Sequence, residues 1–504
     1  MGSERRRAEF RLLAMSAAFA CAAAASVADA ELVPGAIFGD NMVLQRDRSV
    51  AVWGKAVAGD VVTVAFDGAT AKATAAADGA WRVNLPARRA NAVGGTLEIA
   101  AGSGESVSFT NVVVGEVWLC SGQSNMNMSM WGFPNVAKQG DRETNGYLDM
   151  MMTAESDVRG VKVPNVMSCE PRDIPRLSWT PFAPGAQRRF SAIAFHYALI
   201  LHRTLKVPVG VVQSAWGGSR IDPWIPPAGF ESEPSLAGLA TRPIEPEPAP
   251  GERKPGMPHY FQQPRSIYNA MIHPLAPFSL RGALWYQGEA NLALGREYAA
   301  HLRALRFGWS KVFENPDMPF LVVQIAPYGY MKPGEDATRG CEIWEAQAEF
   351  ARTQKNCGMV ATVDIGEIDN IHPGDKRTVA VRLAALALNR FYGMKEIPCD
   401  SPELKSWKVE GGAFSLKFAN CGRWVMHGEK PAPFEVAGAD GRFCAAEATF
   451  EAGGIVKVKA ADVPVPVQLR YAWSWRRLAR LKNEYGLPLA PFRILPASAL
   501  TRER

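Results

Sequence analysis

The chain has 504 residues, of which 47% are hydrophobic, 10% aromatic and 21% charged, enough apolar material for two to four globular domains. Its formal net charge of +6 is small for this length, and no long basic block accompanies it, which argues against a nucleic-acid partner.

The first 30 residues read as a cleaved export signal. Arg5, Arg6, Arg7 and Arg11 precede an apolar run from Leu12 to Val27, and Ala28-Asp29-Ala30 fits the small-x-small cleavage rule. The expected location is therefore outside the cytoplasm, secreted or periplasmic. No later segment is apolar for long enough to span a bilayer. Seven cysteines follow the signal, at 120, 169, 341, 357, 399, 421 and 444. They are too sparse for a disulfide scaffold, their odd number leaves at least one free thiol, and none has zinc-site spacing.

Residues 31–112 contain short strand-like runs, Ser49–Trp53, Val61–Phe66 and Trp81–Leu85, separated by Gly/Asp turns, a pattern that predicts a β-sandwich. From Val113 to about 399 the pattern alternates. Strands are expected at Glu116–Cys120, Val209–Ser214, Ala283–Gln287, Phe320–Ile325 and Val360–Ile365, with helices at 190–205, 294–312, 340–355 and 377–392. Such alternation predicts an α/β domain with a mostly parallel sheet and helices on both faces. Two stretches, 127–160 and 226–264, read as long irregular insertions that shape a cleft or decorate the surface. Residues 400–504 return to short alternating strands, including Phe414–Phe418, Ile455–Val458 and Val467–Tyr471, followed by a basic tail.

Four strand candidates end in polar or glycine clusters: Ser121–Met126, Trp216–Ser219, Trp285–Asn291 and Asp369–Pro373. Ligands of open α/β sheets bind beyond the carboxyl ends of the strands, so four clusters there point to one site. Ser124 follows a strand and starts a helix. It is either a cap or a nucleophile beside backbone N–H groups, although Met126 replaces the last glycine of the usual nucleophile elbow. His372 is a candidate base, with Asp369 three residues earlier to orient it, while His273 is a second candidate. Gly217 and Gly218 permit close backbone approach, and either N–H or the Gln287 side-chain amide could hold an oxyanion. Glu289 supports the site, competes with Asp369 for the histidine, or forms with Asp369 a glycosidase acid–base pair.

At these clusters the chain resembles the sialate O-acetylesterase family of the SGNH, or GDSL-like, hydrolases, from about Gly35 to Phe492. The resemblance is carried by Ile37–Gln45, Glu116–Met126, Trp285–Asn291, Asp369–Lys376 and Glu484–Phe492 taken together. It implies a flavodoxin-like core and a secreted serine esterase acting on acetylated sugars, with no cofactor and no metal. It also implies nucleophile Ser124, base His372 and orienting Asp369, with oxyanion donors from the Ser124 N–H, a glycine N–H at 217 or 218, and the Gln287 or Asn125 side chain. In some related acetylesterases the glutamate matching Glu289 takes the acid's place. Ala290 and Arg220 depart from the family pattern, and Arg220 is a candidate contact for an acidic sugar. The competing class is a carbohydrate-binding protein with an inactive hydrolase-like core. The oligomeric state is not legible in the sequence.

Overall fold

A computed structural model describes residues 32–132, 146–246, 259–332, 334–426 and 434–496. The expected signal segment, and His427 in the C-terminal unit, lie outside the described residues.

The amino-terminal unit is built of antiparallel pairs. Val50–Lys55 pairs with Ala80–Leu85, and Val61–Phe66 lies between Ala69–Thr74 and Asn91–Ala100. Burial alternates along Val61–Phe66 and Ala80–Leu85, as a two-residue side-chain period requires of strands with one face inward. Asn91–Ala100 then pairs with a strand that does not stop at residue 112. This strand, β1, spans Ser106–Gly122. Its first half belongs to the amino-terminal sheet and its second half, buried throughout from Val112, is the centre of the next one. The two units share one hydrophobic core, with Phe38 in edge contact with Trp53 at 4.7 Å and with Phe278 at 5.9 Å.

Beyond β1 the chain forms β2 (Glu155–Lys162), β3 (Thr180–Phe182), β4 (Val209–Ala215), β5 (Gly282–Tyr286), β6 (Phe320–Val323) and β7 (Cys357–Val360). The spatial order is β3-β2-β4-β1-β5-β6-β7, with every neighbouring pair parallel except β3 on β2. Counting the antiparallel strands that continue from the other end of β1, the sheet is mixed. Helix α1 (Ser124–Asn127) follows β1. The longer helices are α2 (Ala192–Leu205), α3 (Tyr298–Val312), α4 (Glu342–Thr353) and α5 (Lys376–Phe391); α2 packs on α5 and α3 on α4.

Two expectations need correction. The stretch 127–160 is not wholly irregular, because β2 begins within it and becomes an interior strand. The strand expected at Val360–Ile365 lies upstream and ends at Val360. The Thr362 hydroxyl then donates to Gln324 O at 2.6 Å, outside the ladder.

The carboxyl-terminal unit is a seven-stranded antiparallel sheet with its own core, which also takes in Ala361 and Val363. A buried charge cluster joins it to the α/β unit. Arg382 of α5 donates to both oxygens of Asp364 at 2.8 and 2.7 Å, and Lys482 Nζ lies 2.8 Å from Asp364 Oδ2. Burial alone would raise the Asp364 carboxyl, but the hydrogen bonds and charges of Arg382 and Lys482 outweigh it and hold it below its ordinary value.

Candidate active site

Three of the four polar clusters directly follow adjacent parallel strands, β4, β1 and β5. The fourth lies on the 361–375 loop after β7. The backbone forces the first three together. Gly122 closes β1 at φ +134°, a conformation L side chains avoid, and a Cβ there would sit 2.1 Å from Tyr286 O. The next amide, Gln123 N–H, donates to Tyr286 O at 3.0 Å, while Trp216 N–H donates to Gly122 O at 3.0 Å. Ser124 is thus set at the first position of α1, partly exposed, with the turn after β4 beside it. A Cβ built on Gly217 would lie 3.6 Å from the Ser124 Cβ, so Gly217 is packed against the serine.

This arrangement leaves donors unclaimed. A helix's first amides have no intrahelical acceptor. The N–H groups of Ser124, Gly217 and Gly218 have no acceptor among the described residues. Asn291 adds a further donor that sequence reasoning missed. Its Oδ1 accepts from Ile221 N–H at 2.9 Å and from Gln287 Nε2 at 2.8 Å, while its buried Nδ2 has no partner among the described residues. An orphaned buried amide is costly unless something completes it.

The two side-chain amides expected as oxyanion donors are committed elsewhere. Gln287 is fully buried; its Nε2 lies within bonding distance of Gln123 Oε1, Ser219 O and Asn291 Oδ1, and its Oε1 accepts from the Tyr298 hydroxyl at 2.7 Å. Asn125 Nδ2 donates to Glu289 Oε1 at 2.5 Å and to Ile371 O at 3.0 Å, and its Oδ1 accepts from Lys376 Nζ at 2.7 Å. Each amide ties parts of the site together, so neither has a hydrogen left for substrate.

The Asn125–Ile371 bond brings the 361–375 loop to α1, since it joins the residue after Ser124 to the residue before His372. His372 is half-buried, and its backbone N–H donates to Asn370 Oδ1 at 3.0 Å. Burial, reinforced by the nearby Lys376 charge, lowers the imidazole to about 4. Asp369 is exposed and makes no hydrogen bond or ion pair among the described residues. Glu289 is 8% exposed and raised above the ordinary carboxyl range by burial; its Oε2 has no partner among the described residues. His273 stands half-buried against the Tyr268 ring, 6.1 Å between centroids, and burial lowers it.

Arg220 lies on the turn beyond Gly218. Its Nε is 3.8 Å from Asp222 Oδ2 and 46% of its side chain is exposed, so the ion pair is loose and one face stays open. Gln262 braces this turn by accepting from Arg220 N–H at 2.8 Å and donating to Gly218 O at 2.7 Å. Behind it, Asp222 Oδ1 lies 3.1 Å from His301 Nε2. Burial disfavours the His301 cation, but Asp222 outweighs this and raises it. Asp222 and His301 are far apart in the chain, and no local pattern announces the pair. Among the described residues no cluster of His, Cys, Asp or Glu is placed to hold a metal ion, and no helix is long and apolar enough to cross a membrane.

Comparison with known proteins gives the family. Residues 114–388, more than half of the chain, match the family described as carbohydrate esterase, sialic acid-specific acetylesterase. The chain belongs to that family. The mouse sialate O-acetylesterase is 28% identical over 90% of this chain and 92% of its own length, and the human one is 27% identical over 72% of each. A carbohydrate acetylesterase from Xanthomonas citri has a similar structure, with a TM-score of 0.79 at 30% identity over 92% of this chain and 99% of its own. This sialate O-acetylesterase family member is a carboxylic ester hydrolase, which sets aside the reading of an inactive binding core.

Proposed function

We propose that the chain is a secreted serine esterase that removes O-acetyl groups from sugars through an acetyl-enzyme on Ser124. The observation that carries this is the packing of Gly217 against Ser124, which sets two unclaimed backbone N–H groups beside one hydroxyl at the carboxyl end of the sheet. The strand run β4-β1-β5-β6-β7, parallel throughout, supports a flavodoxin-like core with β2 and β3 added outside it.

In this reading His372 takes the Ser124 proton as Oγ attacks the acetyl carbonyl carbon. The tetrahedral oxyanion is held by the N–H groups of Ser124 and of Gly217 or Gly218, with Asn291 Nδ2 as a side-chain donor. Collapse expels the sugar oxygen, which receives the proton from His372. Water, activated by the same imidazole, then releases acetate. Asp369, on the same turn and without another partner among the described residues, is the proposed orienting acid. Glu289 is engaged by Asn125, which weakens both its claim to that role and the glycosidase pairing with Asp369. The Arg-rich, apolar start of the chain supports export.

The test is hydrolysis of 4-nitrophenyl acetate by the purified protein, with a serine-reactive phosphonate. Hydrolysis abolished in step with covalent labelling of Ser124 is expected. Hydrolysis that survives full labelling overturns the mechanism.

The substrate is an acetylated sugar, and we place an acidic sugar's carboxylate on the open face of Arg220. Arg220→Ala is then expected to raise KM for an acetylated sialic or uronic acid about tenfold or more, the worth of a charge-assisted hydrogen bond. It leaves 4-nitrophenyl acetate unaffected. Equal effects on both substrates, or none on either, remove Arg220 from the specificity site.

A further inference from the structure

Lys376 opens α5, four residues after His372, where a lysine ordinarily reaches into solvent. Here it is 1% exposed. Its ammonium donates to Asn125 Oδ1 at 2.7 Å and to Pro373 O at 2.6 Å, and stands 5.7 Å from the centre of the Tyr286 ring. A buried ammonium is costly unless it is paired and hydrogen-bonded. The carboxylate that acts on it most strongly is Glu289, which it meets through Asn125. Asn125 spends its whole amide on this arrangement: one oxygen to Lys376, and its hydrogens to Glu289 and to Ile371 O. Residues from α1, from the end of β5, from the base loop and from α5 therefore meet at a single side chain. Asn125 adjoins the candidate nucleophile Ser124 and Ile371 adjoins the candidate base His372.

We propose that Lys376 is a positioning residue. With Glu289 it orients Asn125, and Asn125 in turn locks the Ile371–Pro373 turn to the nucleophile helix, so that His372 keeps its place relative to Ser124. This rests on the serine esterase reading. The ammonium has a second effect, because it faces the site where an imidazolium forms during the reaction. Among the described residues, the charged or titratable groups of this cluster are Lys376 from α5, which acts on His372 directly, Glu289 and Tyr286 from the end of β5, and Glu367, Asp369 and Asp375 from the loop of His372; Tyr330, from the loop after β6, faces Glu289 and Tyr286, and α1 brings none. Glu367 is occupied by the N–H of Gly374 at 2.7 Å and the Asn370 amide at 3.0 Å, and Asp375 caps α5 by accepting from Thr378 N–H at 2.9 Å. Burial pulls the Lys376 ammonium down to about 7, so below that pH Lys376 is a cation that adds to burial in opposing protonation of the base and helps keep it neutral into acid solution, at some cost in basicity.

The experiment is a pH series of kcat and kcat/KM on the full chain with 4-nitrophenyl acetate, for the wild type, Lys376→Met, Lys376→Arg and Asn125→Ala. Lys376→Met is expected to lower kcat about 10- to 100-fold, the scale of a misplaced catalytic group, with KM within about threefold. It also moves the acid limb of kcat/KM up by about one pH unit, because the repelling charge is gone. Lys376→Arg keeps the acid limb in place. Asn125→Ala lowers kcat on the same scale without moving the limb. A Lys376→Met enzyme with kcat within twofold of wild type and an unmoved limb overturns the proposal. If that variant does not fold, Asn125→Ala decides it: kcat within twofold of wild type overturns the clamp. A wild type without Ser124-dependent hydrolysis signals failure of the esterase reading, whereas an active wild type with unaffected variants signals failure of the clamp alone.

Discussion

Ser124→Ala is expected to remove esterase activity by three orders of magnitude or more while leaving the fold intact. The change deletes one partly exposed oxygen with no hydrogen-bond partner among the described residues, at the first position of a short helix. Nothing in the packing of Gly122, Gln123 or Gly217 depends on it, so the melting temperature should stay within a few degrees of wild type. Loss of a triad nucleophile costs roughly 10⁴ to 10⁶ in rate, and a remainder of about 10³ over water persists where the oxyanion donors survive. Far-UV circular dichroism and a 4-nitrophenyl acetate assay check both halves. Retention of more than about a tenth of the wild-type rate would remove Ser124 from the chemistry.

Asp369→Asn is expected to be the next most damaging change, and worse than Glu289→Gln. An asparagine can present an N–H to the imidazole and hold the wrong tautomer, leaving no lone pair for the Ser124 proton; such a change costs on the order of 10⁴ in kcat. Glu289 bonds Asn125 through one oxygen, and a glutamine keeps an oxygen for that bond, so its expected loss is about 10- to 100-fold. The exposed Asp369 carboxylate makes no hydrogen bond or ion pair among the described residues, and catalytic contacts commonly tighten only with substrate bound. Steady-state kcat for the two variants, each with its melting temperature, settles the order. If Glu289→Gln is the worse enzyme, the orienting acid is Glu289, acting through its Oε2, which has no partner among the described residues.

How far the sequence foretold the molecule depends on where the signal was local. Val209–Ala215 and Gly282–Tyr286 are apolar runs bounded by glycine or polar turns, and both are strands as expected. Interior strand β2 was hidden because it reads Glu-Ser-Asp-Val-Arg-Gly-Val-Lys. Its charge is absorbed by context: the buried Arg159 guanidinium donates to Asn41 O at 3.0 Å and to the backbone and side chain of Asn111. Hydropathy cannot register an arginine satisfied by oxygens of a distant turn and of β1. Within the site, the clusters after β4, β1 and β5 lie side by side and the fourth sits on the loop after β7, whereas the bonds their side chains make were not legible. Gln287 and Asn125 looked like donors for substrate because nothing in the sequence shows that Ser219, Asn291, Glu289 and Ile371 claim their amides first. Lys376 could have been noticed, since it lies four residues from the candidate base on the same turn. Asp222 and His301 are separated by a strand and a long insertion, and only the fold unites them.

The uninterrupted run of β1 from Ser106 to Gly122 bears on how this enzyme can be dissected. One ladder of backbone hydrogen bonds ends at the turn before Ser124 and begins in the amino-terminal sheet, so neither unit has a free border at residues 112 and 113. Cutting there would expose two raw strand ends and tear open a common core. Residues 32–112 are thus not a detachable cassette that recombination or cloning could trade for another accessory module. The catalytic half expressed from residue 113 should collect in inclusion bodies, and calorimetry of the whole chain should show the two halves melting as one cooperative block.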